Sequence, residues 1–151
     1  MTILALDLGT KTGFAIGGDE MPVVSGVWNL KAGRHESQSM RLITLIKQIN
    51  DLHDAVGISR VYYEEVRRHM STDAAHWYGA FWGQVTKWCE ERDIPYEGVP
   101  VGTIKKFATG KGNANKEAMI AAVEGWGFPV EDDNEADALA LLHLKLDDAK
   151  K

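Results

Sequence analysis

The distribution of apolar residues at the start of the chain predicts three short strands joined by tight turns. An apolar run at residues 2–8 is followed by glycines at positions 9 and 13, a second run begins at residue 14, and a third occupies residues 23–30. Short apolar runs that follow one another through Gly-containing turns are typical of antiparallel hairpins. The pattern therefore predicts an antiparallel meander of three strands.

The later apolar positions predict helices that alternate with two further strands. Apolar residues recur at three- and four-residue steps in several of these segments, which marks amphipathic helices, and β-branched and aromatic residues are concentrated in others. The predicted elements are a helix within residues 35–56, a strand at 58–66, a helix from Thr72 or Asp73 to about Arg92, a strand at 95–99, and helices from Lys116 to about Trp126 and from Asn134 to about Leu146. This order predicts an α/β fold with a mixed five-stranded sheet flanked by helices.

Composition limits the class of protein without identifying its function. The chain has 151 residues, 44% of them hydrophobic, with no internal repeat or low-complexity linker, so we expect a single domain over residues 1–151. No apolar stretch reaches the ~18 residues of a membrane span, and no signal peptide is evident, so we expect no membrane contact. Cys89 is the only cysteine, which excludes an intrachain disulfide and fits a reducing, cytoplasmic setting.

Charge is unevenly distributed, and this changes what the net charge of −5 implies. Four lysines and no acid lie between residues 101 and 116, at positions 105, 106, 111 and 116, whereas residues 131–137 contain five acids and no base. A protein that binds a polyanion beside divalent cations needs both kinds of region. The overall acidity therefore does not exclude nucleic acid as a partner.

Three carboxylate positions lie at the edges of apolar elements. Asp7 interrupts the first strand, Glu64 or Glu65 ends the fourth, and Asp137 lies on an otherwise apolar last helix. Taken singly, each has an ordinary explanation as a turn, edge or solvated residue. If the first and fourth strands are neighbours, however, the three carboxylates meet, and such a group takes up protons or binds cations. Oxygen ligands suit Mg²⁺ or Mn²⁺, and a pair of these ions can promote phosphodiester hydrolysis.

Four blocks of sequence resemble the RuvC-type Holliday junction resolvases, which have the ribonuclease H-like fold. "LDLGTKTGFAI" is similar to the first-strand motif with its Asp and glycine turn, and "YYEEV" to the fourth-strand motif with its catalytic Glu. "IKKFATGKGNANKEAM" is similar to the family's basic segment, and "NEADALAL" to its last-helix motif. The blocks occur in the family's order across nearly the whole chain.

This resemblance implies a divalent-metal-dependent endonuclease of four-way or branched DNA. It implies Mg²⁺ or Mn²⁺, two ions per site, and hydrolysis that leaves a 5′-phosphate and a 3′-hydroxyl. The residues implied as metal ligands are Asp7, Glu64 (rather than Glu65), Asp137 and, more weakly, Asn134. Lys116 is implied as a catalytic residue, and the DNA-binding residues implied or expected are Lys105, Lys111, Lys116, Arg67 and Arg68. The compact chain suggests a phage or prophage version, acting in a bacterial or phage-infected cell.

Two positions depart from the family pattern. Asn134 stands where the family has Asp or His, so either the Asn134 carbonyl oxygen or the neighbouring Asp133 completes the site. Arg67 stands where the family often has an aromatic residue three positions after the catalytic Glu. Because arginine can stack on bases and bind phosphate, we expect DNA binding to persist with an altered sequence preference.

The predicted second helix carries two aromatic stripes. Trp77, Phe81 and Trp88 form one, and Tyr78 and Trp82 lie on the other with Val85 and Cys89. One stripe can cover the sheet, which leaves a surplus apolar face with Gly79 and Gly83 one turn apart. The family resemblance also implies a homodimer, and we expect it to form through this helix around Trp77–Trp88.

Three alternative functions are compatible with parts of the sequence. "DLGT" also resembles the first phosphate loop of the actin, Hsp70 and sugar-kinase ATPases, but those proteins close two such domains over a nucleotide, and their later loops are missing here. A nuclease of the same fold could act on RNA or RNA–DNA hybrids. A non-catalytic junction-binding protein with a degraded metal site is the third alternative.

Overall fold

The computed structural model describes residues 1–69 and 71–151. It contains five strands and five helices within these residues. They are β1 (Thr2–Asp7), β2 (Lys11–Gly18), β3 (Met21–Asn29), α1 (Met40–Val56), β4 (Arg60–Glu65), α2 (Thr72–Glu91), β5 (Tyr96–Pro100), α3 (Val101–Thr109), α4 (Lys116–Gly125) and α5 (Asp133–Ala149).

The strands form one mixed sheet in the order β3-β2-β1-β4-β5. β1 pairs with β2, and β2 with β3, in antiparallel fashion, whereas β4 runs parallel to both β1 and β5. The predicted mixed five-stranded sheet and its antiparallel meander are confirmed. So is the expectation that the first and fourth strands are neighbours.

The central strand is buried on both faces, which explains its continuous apolar sequence. Leu4 and Leu6 pack on the α1–α2 side of the sheet, and Ile3 and Ala5 pack on the α3–α5 side. All four side chains are at most 1% exposed. Continuing this alternation, Asp7 belongs to the α3–α5 side, at the point where the strand ends.

Helix α5 is the main helix on that side and crosses the meander closely. Its segment from Ala138 to Leu142 is fully buried. At Gly13 a Cβ atom would overlap the carbonyl group of Asn134, so this position admits no side chain. Gly13 is also the cross-strand partner of Asp7. The start of α5 is therefore seated directly beside the end of β1.

Helix α3 was not predicted, because the sequence analysis assigned no helix or strand between residues 100 and 115. It spans nine residues after Pro100, buries Ile104, and ends at Gly110, which has a left-handed φ of 85°. The helix has only nine residues and packs mainly on α5 and α4, so its apolar pattern is short. Lys105 and Lys106 consequently lie on a helix.

Both aromatic stripes of α2 contribute to the core, so neither stripe is left as a whole on the surface. Phe81 and Trp88 from one stripe, and Val85 and Cys89 from the other, are buried in the α1–α2 cluster. Both α1 and the sheet pack against α2. The buried part of the α2 surface is therefore wider than a single stripe. Trp82 is the aromatic side chain of this helix that remains substantially exposed, at 42%.

In the described parts of the chain, every helix is too short or too polar to span a bilayer.

Candidate metal centre

Three carboxylates from three elements meet at one edge of the sheet. Asp7, Glu64 and Asp137 each offer a carboxylate oxygen, and these oxygens all lie within 4.8 Å of one another. Asp7 ends β1 and Glu64 lies near the end of β4, while Asp137 lies on α5. The structure therefore brings together the three carboxylates that the sequence singled out.

The sheet register explains why Glu64 rather than Glu65 joins the group. Leu6 pairs with Tyr63, so the next pair along the two parallel strands is Asp7 and Glu64. Alternation along β4 directs Tyr63 toward α1 and α2, which leaves Glu64 on the α5 side. The carboxylate of Glu65 instead accepts a hydrogen bond from Arg67 Nε at 3.0 Å.

The first turn of α5 is fixed by a capping bond that positions Asp137. The side chain of Asp132 accepts a hydrogen bond from the backbone N–H of Glu135 at 2.9 Å, which is a standard helix N-cap. The close contact at Gly13 holds the same turn against the sheet. Asp137 lies one turn further along and therefore faces the ends of β1 and β4.

The electrostatics of the cluster are those of crowded like charges. Burial raises the pKa of Asp7 well above its ordinary value, and the nearby charges of Glu64 and Asp137 raise it further. Burial likewise raises the pKa of Asp137 to about 7, with Glu64 and Asp133 adding to the shift. Burial also raises the pKa of Glu64, opposed in part by its hydrogen bond with Asp7 and by the charge of Lys105. A cation in this group would relieve the repulsion.

The donor set fits a hard divalent cation. All three converging groups are carboxylates, which is the ligand type that Mg²⁺ and Mn²⁺ prefer. Asn134 donates its amide N–H to Asp132 at 3.2 Å, so Oδ1 is its ligating atom if it binds the ion. Asp133 lies outside the three-carboxylate group, although its charge raises the pKa of all three members. Both candidates for a fourth ligand thus remain predictions.

The basic residues singled out in the sequence occupy different surroundings. Lys105 on α3 is near enough to lower the pKa of both Glu64 and Asp137. Lys116, at the start of α4, lies 3.8 Å from Asp133. Arg67 is paired with Glu65, whereas Lys111 and Arg68 are exposed on the surface. Lys105 and Lys116 therefore flank the acidic cluster from α3 and α4.

Two residues that support this site were missed in the sequence. The hydroxyl of Tyr78 donates to the carbonyl oxygen of Glu64 at 2.8 Å and thereby holds the end of β4. Glu135 is 5% exposed, and its carboxylate accepts a hydrogen bond from Ser25 Oγ at 2.6 Å. Tyr78 was assigned to an aromatic stripe, and Glu135 was counted as one acid in a charged run. Neither pattern signals a hydrogen-bond partner that lies far away in sequence.

Structural comparison identifies proteins with the same fold. RuvC from Thermus thermophilus, solved in complex with a Holliday junction substrate, has a TM-score of 0.75 at 21% identity, over 93% of this chain and 89% of that one. A second T. thermophilus RuvC structure has a TM-score of 0.71 at 21% identity, over 93% and 90% of the two chains. The yeast mitochondrial Holliday junction resolvase Ydc2 has a TM-score of 0.62 at 14% identity, over 91% and 74%.

At the level of sequence, no family model and no curated protein matches the chain. The likeness therefore lies in the backbone, over nearly the whole length of both RuvC structures. It agrees with the strand order and with the antiparallel meander that precedes the first helix. The protein has the same fold as these RuvC structures, which is the ribonuclease H-like fold expected from the sequence.

Proposed function

We propose that the protein is a divalent-metal-dependent endonuclease that resolves four-way DNA junctions by paired, symmetric phosphodiester hydrolysis. The observation that carries this proposal is the convergence of Asp7, Glu64 and Asp137 within a fold shared with RuvC. The T. thermophilus structure with a Holliday junction substrate supports the choice of DNA substrate.

The proposed ligands are Asp7, Glu64 and Asp137, with Asn134 or Asp133 as a weaker fourth. Mg²⁺ or Mn²⁺ ions held there, two in the fully loaded site, would activate water and stabilise the developing negative charge on the phosphate. Two ligands on paired parallel strands have a fixed separation, since the sheet register sets it. The third proposed ligand, Asp137, comes from α5, which packs on the sheet beside the ends of these strands.

Lys105 and Lys116 are the proposed contacts to the DNA backbone. Both lie beside the acidic cluster, where a phosphate diester would otherwise be repelled by the carboxylates. Lys111, Arg67 and Arg68 extend the basic surface as further proposed DNA contacts. Lys116 is also the proposed catalytic lysine, acting on the scissile phosphate.

Replacing either flanking lysine is expected to weaken junction binding and cleavage. Lys105→Ala and Lys116→Ala should each lower junction affinity about tenfold near 0.1 M salt, and each should reduce the slope of log affinity against log salt by about 1. Lys106→Ala is the matched control, because Lys106 is an exposed lysine on the same helix as Lys105. Filter binding across a salt series measures both effects. Cleavage and salt slopes equal to wild type in Lys116→Ala would contradict its role.

A homodimer is the proposed assembly, because paired symmetric cuts need two active sites related by a two-fold axis. The proposed interface is the outer face of α1 and α2, where Ile43 is 60% and Trp82 is 42% exposed. Gly79 and Gly83 have open space beside them, which permits close approach of a second helix. A monomer at micromolar concentration in sedimentation velocity would contradict this assembly.

Cleavage of a labelled synthetic four-way junction tests the proposed function. We expect paired symmetric nicks in Mg²⁺ or Mn²⁺, none in a chelator, and little cutting of linear duplex of the same sequence. RNA and RNA–DNA hybrid substrates are run in parallel, and preferred cutting of either would assign the site to a different nucleic acid. Tight junction binding without cutting in either metal would show a junction-binding protein rather than an enzyme.

A further inference from the structure

Glu135 is a buried carboxylate that the proposed hydrolysis does not use. It lies in the first turn of α5, directly after Asn134 and two residues before Asp137, and is 5% exposed. A buried carboxylate is costly unless its oxygens are hydrogen-bonded. The hydrogen-bond partners of Glu135 therefore indicate which segments this side chain holds together.

Both carboxylate oxygens of Glu135 are used. One accepts a hydrogen bond from Ser25 Oγ at 2.6 Å, and the other accepts one from the backbone N–H of Glu131 at 2.7 Å. Ser25 lies on β3, opposite Ala15 of β2, and Glu131 lies in the segment that leads into α5. One side chain thus joins an outer strand, the approach to the helix and the first turn of the helix.

The backbone contact at Gly13 acts on the same turn from the neighbouring strand. The carbonyl group of Asn134 lies against Gly13, which leaves no space for a side chain there. This contact limits how closely α5 approaches β2, whereas the Glu135–Ser25 bond limits rotation of α5 about its own axis. Because the hydrogen-bonded turns of an α-helix move as one unit, a small rotation of α5 about its axis would displace Asn134 and Asp137 together.

We propose that Glu135 is a positioning residue that ties the first turn of α5 to β3 and so holds Asn134 and Asp137 in register with Asp7 and Glu64. The inference rests on the proposed metal-binding function of these residues. Glu135 does not contact the ion in this proposal. It acts through the helix that carries two of the candidate ligands, as hydrogen-bond partners behind metal ligands do.

Mn²⁺ affinity, measured from the electron paramagnetic resonance signal of free Mn²⁺, tests the proposal without requiring activity. Glu135→Ala should weaken Mn²⁺ binding by about tenfold or more, which is the range for groups that orient ligands. Glu135→Gln keeps one acceptor oxygen and should retain part of the affinity. Ser25→Ala should weaken binding less than Glu135→Ala, and should add little in the double variant if the two act as one pair.

Ile49→Ala is the control for a general loss of stability. Ile49 is fully buried on α1, on the opposite side of the sheet from α5, so its truncation should lower the unfolding temperature and leave Mn²⁺ affinity unchanged. If Glu135→Ala does not fold, Glu135→Gln and Ser25→Ala still carry the test. Wild-type affinity in Glu135→Gln, Ser25→Ala and every other folded Glu135 variant would overturn the positioning role alone. Failure of the wild-type protein to bind Mn²⁺ would overturn the proposed function, and this inference with it.

Discussion

Asp7→Asn is expected to reduce junction cleavage by a factor of about 10³ or more, with junction binding retained. Burial raises the pKa of Asp7 well above its ordinary value, and the charges of Glu64 and Asp137 raise it further, as expected of a group that a cation would stabilise. In the proposed metal site, an amide of the same shape would remove negative charge that holds the divalent cation. Losing several kcal/mol of transition-state stabilisation corresponds to a rate loss of about this size. Single-turnover cleavage of a labelled junction measures it.

Glu65→Gln is the matched control for this loss. Glu65 adjoins Glu64 in sequence, but its carboxylate is paired with Arg67 rather than with the cluster. The same change from carboxylate to amide should therefore alter cleavage by no more than a few fold. Equal losses in the two variants would show that general charge, and not the Asp7 position, supports the reaction.

Metal-free protein is expected to be less stable at pH 8 than at pH 5, and added Mn²⁺ should reverse this at pH 8. The folded pKa values of Asp7, Glu64 and Asp137 are raised, so the folded state holds protons that the unfolded state releases above pH ~4. Stability from these groups is therefore full below that pH and is lost as pH rises through the folded values, about 7 for Asp137. A loss of roughly 2 kcal/mol corresponds to a fall of roughly 4–8 °C in the unfolding temperature for a chain of this size.

Asp7→Asn isolates the cluster from the other titrating groups in this experiment. The variant replaces one of the three crowded carboxylates with a neutral side chain, so its unfolding temperature should change less between pH 5 and pH 8. It should also exceed the wild-type temperature at pH 8 without metal, and gain less from Mn²⁺. Identical pH profiles for the two proteins in differential scanning calorimetry would contradict the assigned repulsion.

The sheet and the three carboxylates could be predicted because their signals are local. The apolar run of β1 is continuous and is broken once, at Asp7. This pattern is typical of a central strand that is buried on both faces and carries a polar site residue at its end. The helical repeat around Asp137 likewise indicates the side of α5 that meets the sheet. The choice of Glu64 over Glu65 came from the family resemblance, and alternation along β4 now gives a physical reason for the place of Glu64 in the group.

The parts that were missed depend on contacts between distant segments. Helix α3 has only nine residues and one buried side chain, Ile104, and its place is set by packing against α4 and α5. Val85 and Cys89 on α2 are buried in a core that α1 and the sheet share, and no pattern within α2 shows where α1 lies. The bond between Glu135 and Ser25 joins positions at opposite ends of the sequence. Such pairings follow from the assembled sheet and could not be inferred from either segment alone.

The distribution of the cluster along the chain has a consequence for synthesis on the ribosome. Asp7 lies on the first strand and Asp137 on the last helix, which docks on β1 and β2. A nascent chain therefore holds no complete centre until α5 has left the exit tunnel and packed against β1 and β2. Under the proposed function, unfinished chains that lack α5 would be unable to cut nucleic acid.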